Sequence, residues 1–262
     1  DVNAQAGETK TMTALLYAAY NDNIGILNAL IHAKADLEKR GFCGNSALMI
    51  AANQNKCEVV RGLIRAGADV HAKNHSQETA LMLTSSPEVV DMLIAAKASV
   101  DALDRNGKTP LSHAVTSLHV DIVAQLLKCG ANIKEKNGEC VLLNFLKSIQ
   151  KLFYTEVRDK TVEKKQAAIV ALLLDAKADI SSKKIDDEDV LSWSVDHLHT
   201  SVLEKLIDAG ANIEEKNEYG ETALISAARK GNKDLFKLLL DRKADVNATC
   251  DNGDSALTKA AL

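Results

Sequence analysis

The side chains best suited to chemistry are scattered along this sequence, and each grouping is incomplete. His197 and His199, in "DHLHT", are metal-ligand types. A separation of two on a helix or its flanking loop turns them to different faces. Cys43 and Cys250 lie in distant segments, so the four-ligand set that zinc needs is not expected. A Cys43–His75 nucleophilic pair would need thiol and imidazole within hydrogen-bond reach, and neither has an orienting third group or an oxyanion site in view. The carboxylates of "IDDEDV" (Ile185 to Val190) read as a solvated turn ending in a helix cap. No glycine-rich phosphate loop occurs. The expectation is therefore a chain with no catalytic residues, no metal and no cofactor.

The elements that carry these side chains are constrained by composition. The 262 residues are 46% apolar but only 3% aromatic, and two are proline. A core of Leu, Ala, Ile and Val with so little proline suits closely stacked helices. The net charge of -4 lacks the clustered basic face that nucleic acid requires. No apolar run reaches the roughly 18 residues of a membrane span, and no signal-peptide pattern opens the chain. The five cysteines (Cys43, Cys57, Cys129, Cys140, Cys250) are odd in number and dispersed. That argues for a reducing, intracellular setting, expected to be cytoplasmic, or a host cytoplasm if the chain belongs to a delivered effector. Cys57 and Cys129 read as half-buried members of helices.

One phrase recurs: "AKADL" from Ala33, "AGADV" from Ala66, "AKASV" from Ala96, "CGANI" from Cys129, "AKADI" from Ala176, "AGANI" from Ala209 and "RKADV" from Arg242. Successive copies are 33, 30, 33, 47, 33 and 33 residues apart. A second phrase alternates with it: "TALL" from Thr13, "SALM" from Ser46, "TALM" from Thr79, "TPLS" from Thr109, "TALI" from Thr222 and "SALT" from Ser255. A near-constant period of this length predicts a solenoid. Ser46, Thr79, Thr109, Thr222 and Ser255 precede apolar stretches, as does Asp189, where a side-chain oxygen can cap a helix. Pro110 falls at a first helical position, and Pro87 is expected to start a second helix after a turn that lacks three residues. The pairs Ala18–Ala19, Ala51–Ala52 and Ala227–Ala228 allow close helix approach, while "VVRGLI" and "LFKLLL" line one face of a helix. Gly67, Gly130 and Gly210 are expected to end helices in the left-handed conformation. Lys34, Lys97, Lys177 and Lys243 replace them in other copies, at a cost of about 1 kcal/mol.

Together these phrases resemble the ankyrin repeat, most closely in "NEYGETALISAARKGNKDLFKLLLDRKADVNAT" (Asn217 to Thr249). The resemblance implies an all-α repeat solenoid of helix-turn-helix pairs joined by short β-hairpin-like loops. Residues 1–262 are expected to form a single array, with repeats at about 8–40, 41–73, 74–103, 104–136, 137–183, 184–216 and 217–249 and a partial one at 250–262. The array is expected to be a monomeric segment of a longer chain. The family's histidine after "TPL" is absent, replaced by Leu16, Met49, Met82, Ser112, Leu143, Ser192, Ile225 and Thr258. Other groups must supply its hydrogen bonds.

The resemblance implies a non-catalytic module that binds a partner protein or peptide on its concave face, without nucleic acid or membrane. The alternative is the targeting module of a larger enzyme or effector whose catalytic domain lies elsewhere. Carried over position by position, the candidate contacts are Phe42, His75, Arg105, Ile185 and Tyr219 at hairpin tips. Tyr20, Asn53, Trp193 and Arg229 lie on first helices or the starts of their loops. Acidic tips near the end of the chain (Asp186, Asp187, Glu188, Glu218, Glu221, Asp251, Asp254) suggest a basic partner segment. Asn247, in "ADVN", fits the family's asparaginyl-hydroxylation pattern.

The fifth repeat breaks the period with "KSIQKLFYTEVRDKTVEKKQ" (Lys147 to Gln166): its hairpin is two residues short, and 16 residues are added between its helices, with 49 from Cys140 to Asp189 against 33. Leu142, Leu146, Ile149 and Phe153 share one helical face, so the first helix is expected to gain about two turns. Thr161 is expected to cap a lengthened second helix. Phe153 and Tyr154, near the tip of this helical insertion, form a possible second contact site.

Overall fold

The computed structural model describes residues 1–6, 12–135, 140–153, 159–178, 180, 184–185 and 188–261. They fall into two compact units, Asp1–Gly138 and Glu139–Leu262. The division lies between the expected fourth and fifth repeats.

In the first unit, β1 (Gln5–Ala6) pairs antiparallel with β2 (Met12–Thr13), with Gln5 opposite Thr13. Four helix pairs follow: α1 (Ala14–Tyr20) with α2 (Ile24–His32), α3 (Ala47–Asn53) with α4 (Cys57–Arg65), α5 (Ala80–Leu83) with α6 (Pro87–Ala95), and α7 (Pro110–Thr116) with α8 (Val120–Lys128). First helices pack on first helices and second on second, so the unit has two helical layers. The second unit repeats this plan with α9 (Val141–Phe153), α10 (Lys160–Asp175), the strands β3 (Lys184–Ile185) and β4 (Glu188–Asp189), α11 (Val190–His197), α12 (Thr200–Asp208), α13 (Ala223–Arg229), α14 (Lys233–Asp241) and α15 (Ala256–Ala260).

The local chemistry follows the repeated phrases. Thr13, Ser46, Thr109 and Ser255 each accept the N–H three residues on, and Asp189 accepts from Leu191. Thr79 and Thr222 occupy the same cap position without a hydroxyl bond to the helix. Second helices end alike. The alanine two residues past the last full turn (Ala35, Ala68, Ala98, Ala131, Ala178, Ala211, Ala244) donates back to a carbonyl five residues earlier, at 2.9–3.1 Å. The residue before it has φ between 60° and 90° whether it is Lys or Gly. Small side chains permit the inter-layer approach: Ala18, Ala19, Ala51, Ala52 and Ala227 are buried. Val59, Val60 and Leu63 on α4, and Val202, Leu203 and Leu206 on α12, form the second-helix side of each core.

Where the family histidine is missing, packing and hydroxyls replace it. Leu16, Met49 and Ile225 are buried, while the Ser112 hydroxyl donates to Glu135 Oε1 at 2.9 Å. The shortened turn between α5 and α6 leans on the preceding repeat. Asn55 donates to Ser85 Oγ at 2.7 Å, and its Oδ1 accepts from the Thr84 hydroxyl and the Ser85 N–H.

In the fifth repeat α9 has 13 residues where α3 has 7, and α10 has 16 where α4 has 9. The excess of six in α9 is close to the two expected turns. The cap of α10 differs from expectation. Asp159 is the N-cap, accepting from the Thr161 N–H at 2.8 Å, and Thr161 lies inside the helix. A carboxylate two residues ahead is the stronger acceptor for the same orphan N–H groups. The side chains of Phe153 and Tyr154 lie outside the described residues.

Candidate binding surface

The hairpin tips are fixed by side chains turned onto their own backbones. Asn74 Oδ1 accepts the N–H groups of Ser76 and Glu78, Asp104 Oδ1 those of Asn106 and Lys108, and Asn217 Oδ1 those of Tyr219 and Glu221, all at 2.8–3.0 Å. Neighbouring tips are linked. The His75 N–H donates to Cys43 O at 3.0 Å, and the Arg105 N–H to Ser76 O at 2.9 Å. Gly44 is required here: a Cβ would meet the His75 ring at 2.5 Å, and its φ is +78°. A Cβ at Gly220 would come closer still to the Asp251 carboxylate, and its φ is +68°.

On this rigid frame Phe42 is 70% exposed, Tyr219 61% and Tyr20 55%. Asn53, His75 and Arg105 are exposed as well, although an Arg105 guanidinium N–H donates to His75 O at 2.5 Å. Two candidate contacts are placed otherwise. Ile185 is 0% exposed, because the β3–β4 hairpin turns it inward against α11. Trp193 is 2% exposed, with α9 alongside its helix and the His197 ring stacked on it at a centroid distance of 4.7 Å. The expectation of exposed side chains at Ile185 and Trp193 is thus corrected, and neither can meet a partner in this conformation.

Arg229 is half committed to the fold. Glu221 is only 4% exposed, and its Oε2 accepts from Arg229 Nε at 3.1 Å and from the Ser226 hydroxyl at 3.0 Å. Asp254 pairs with Lys259 at 2.9 Å and holds that ammonium above its usual range. Of the acidic tip residues, then, Glu221 and Asp254 are neutralised internally, and Asp186 and Asp187 lie outside the described residues. The basic-partner expectation thus loses two of its seven carboxylates.

Around Arg229 the second unit has a cleft of about 730 Å³ between tips and first helices, lined by Asp196, Tyr219, Glu221, Arg229, Lys230, Cys250, Asn252 and Lys259. Sequence reasoning missed Lys259, Cys250 and Asn252. Their phase in the partial repeat at 250–262 matches that of Ser226, Asn217 and Tyr219, a signal that was present. Tyr17, 44% exposed one turn before Tyr20, was also missed. Asn247 is exposed, its N–H bonded to Asp245 Oδ1 at 2.9 Å.

Among the described residues no set of three or more His, Cys, Asp or Glu side chains is placed to hold a metal ion, and no helix is long and apolar enough to cross a membrane. Cys129, at the end of α8, is exposed and not half-buried. Cys57 is half-buried, and burial together with the nearby Glu88 carboxylate pushes its thiol up.

The tight tips, paired helices and left-handed helix ends agree with a comparison against family models. Three copies of the ankyrin-repeats model match residues 1–74, 48–137 and 160–250. The chain belongs to the ankyrin-repeat family, an all-α repeat fold whose members are generally protein–protein interaction modules and typically non-catalytic. No curated protein matches it.

Proposed function

We propose that this chain is a non-catalytic module that binds a partner protein or peptide through the hairpin tips and first helices of its repeats. The observation that carries this reading is the exposure of Phe42, Tyr219 and Tyr20 on backbone held rigid beneath them. Large aromatic side chains fixed on a scaffold offer contact area at little entropic cost, and such residues dominate binding energies. The cleft beside Tyr219 gives the second unit a concave site of a size common for ligand recognition. In the first unit, His75 and Arg105 lie on the tips that follow Phe42, and Asn53 ends the first helix after it.

The test is affinity capture from a cell lysate with the wild-type chain and with Phe42→Ala/Tyr219→Ala. The proteins held by the wild type are expected to be depleted at least tenfold on the variant. Capture of the same set in the same amounts by both would overturn the assignment of this face.

A further inference from the structure

The insertion builds something that a repeat of ordinary length does not have. Six second helices contain nine residues each. In α10 the nine in phase with them are Ala167 to Asp175, and Lys160 to Gln166 are additional. Because α10 packs along α12, these extra turns run past the loop between α11 and α12. Glu163 Oε1 meets His199 Nδ1 there at 3.2 Å. The backbone of that loop differs from its counterpart in the fourth repeat. Leu118 has φ +57° and is half-buried, whereas the equivalent Leu198 is extended, with φ −132°, and 3% exposed.

A cleft of about 610 Å³ lies under this overhang. Lys160 and Glu163 of α10, Val195 and Leu198 of the following repeat, and Lys230 and Asp234 of the one after it line this cleft. Most of its polar groups are occupied. Glu163 holds His199, Lys230 donates to Val195 O at 3.4 Å and pairs with Asp196, and Asn232 donates to Thr200 Oγ1 at 3.3 Å. Two opposite charges in its lining, Lys160 and Asp234, have no ion-pair partner among the described residues. The placement of Lys160 does nothing for α10, since a cation in the first turn opposes the helix dipole. Ser201, also lining the cleft, has a buried hydroxyl oxygen with no hydrogen-bond partner. Lys230 lines both this cleft and the one beside Tyr219, so the two are neighbours on either side of one side chain.

We infer that the overhang cleft is a second subsite for the same partner: an extended peptide segment that crosses Lys230, setting an acidic residue against Lys160 and a basic residue against Asp234. This rests on the tip-face reading above, because the segment reaches the overhang only by continuing from the cleft beside Tyr219. Opposite charges at fixed positions confer direction and register as well as affinity.

The test pans a displayed library of random twelve-residue peptides against three forms of the 262-residue chain: wild type, Lys160→Glu/Asp234→Lys, and Tyr219→Ala. The expected winners carry one acidic and one basic residue at a constant spacing. They should bind the charge-reversed variant at least thirtyfold more weakly, and synthetic peptides with the two charges exchanged should recover binding to it. That rescue cannot come from a damaged fold, and unchanged Trp193 emission gives an independent check. Peptides weakened by Tyr219→Ala but held equally by wild type and the charge-reversed variant would overturn the overhang subsite and leave the tip face standing. Peptides weakened by charge reversal and indifferent to Tyr219→Ala would overturn the tip face, and with it the reading of the overhang as a second subsite for the same segment. Failure to enrich any peptide would overturn both.

Discussion

A carboxylate at 4% exposure has given up most of its hydration, so Glu221 needs strong donors, and Arg229 supplies one of its two. That makes Arg229 a poor choice for testing recognition, although its position on the surface suggests it. Arg229→Ala is expected to destabilise the second unit by about 1.5–3 kcal/mol, the usual range for a hydrogen bond to a charged group that leaves its partner stranded. Glu221→Gln in the same chain should recover part of the loss. Urea denaturation followed by Trp193 emission measures both. No loss in the single variant would mean that water reaches Glu221 freely. Tyr219 makes the cleaner variant, because it is 61% exposed and its truncation strands no buried charge.

At the scale of elements, the cap of α10 is the clearest departure from expectation. Hydrogen bonds from the Thr161 hydroxyl and N–H hold the Asp159 carboxyl below its usual range. A carboxylate with a depressed folded pKa contributes stability that is fully present above its unfolded value of about 3.9. That contribution is lost as pH falls through the lower, folded value. Asp159→Asn should therefore flatten the acid side of the stability–pH profile, and Thr161→Val should leave more of it in place. Equal profiles for Asp159→Asn and wild type would remove the cap from the account. Much of the frame was legible beforehand, and for local reasons. Pro87 and Pro110 begin helices because their rings permit little else there, and the lysines at Lys34, Lys97, Lys177 and Lys243 are left-handed because their repeats require it. What escaped depended on contacts distant in sequence. Nothing within the "KKIDDEDV" stretch says that Ile185 turns inward, and nothing near Trp193 announces that α9 and His197 cover it. The overhang cleft needs three repeats to line it, so its walls were visible only as separate loops.

The whole molecule carries a single tryptophan, and it lies in the second unit. Emission therefore reports on that unit alone, while helical circular dichroism reports on both. In a repeat fold each repeat touches only its neighbours, so damage should stay close to where it is made. Leu63→Ala and Leu203→Ala each remove a fully buried side chain and should cost about 2–5 kcal/mol. The second is expected to lower the denaturation midpoint seen by Trp193 much more than the first, with both lowering the midpoint seen by circular dichroism. Equal shifts in emission would show that the two units unfold as one. The two largest length irregularities fall at the same point of the frame: three residues missing before Pro87 and sixteen gained before Ala167, both between the helices of a pair. The joint that leads from a second helix to the next hairpin is built identically seven times, whichever residue occupies it. The turn inside a repeat is thus where foreign sequence can be grafted, and an engineer wishing to add a sensor loop or an epitope to this scaffold would open it there and leave the joints untouched.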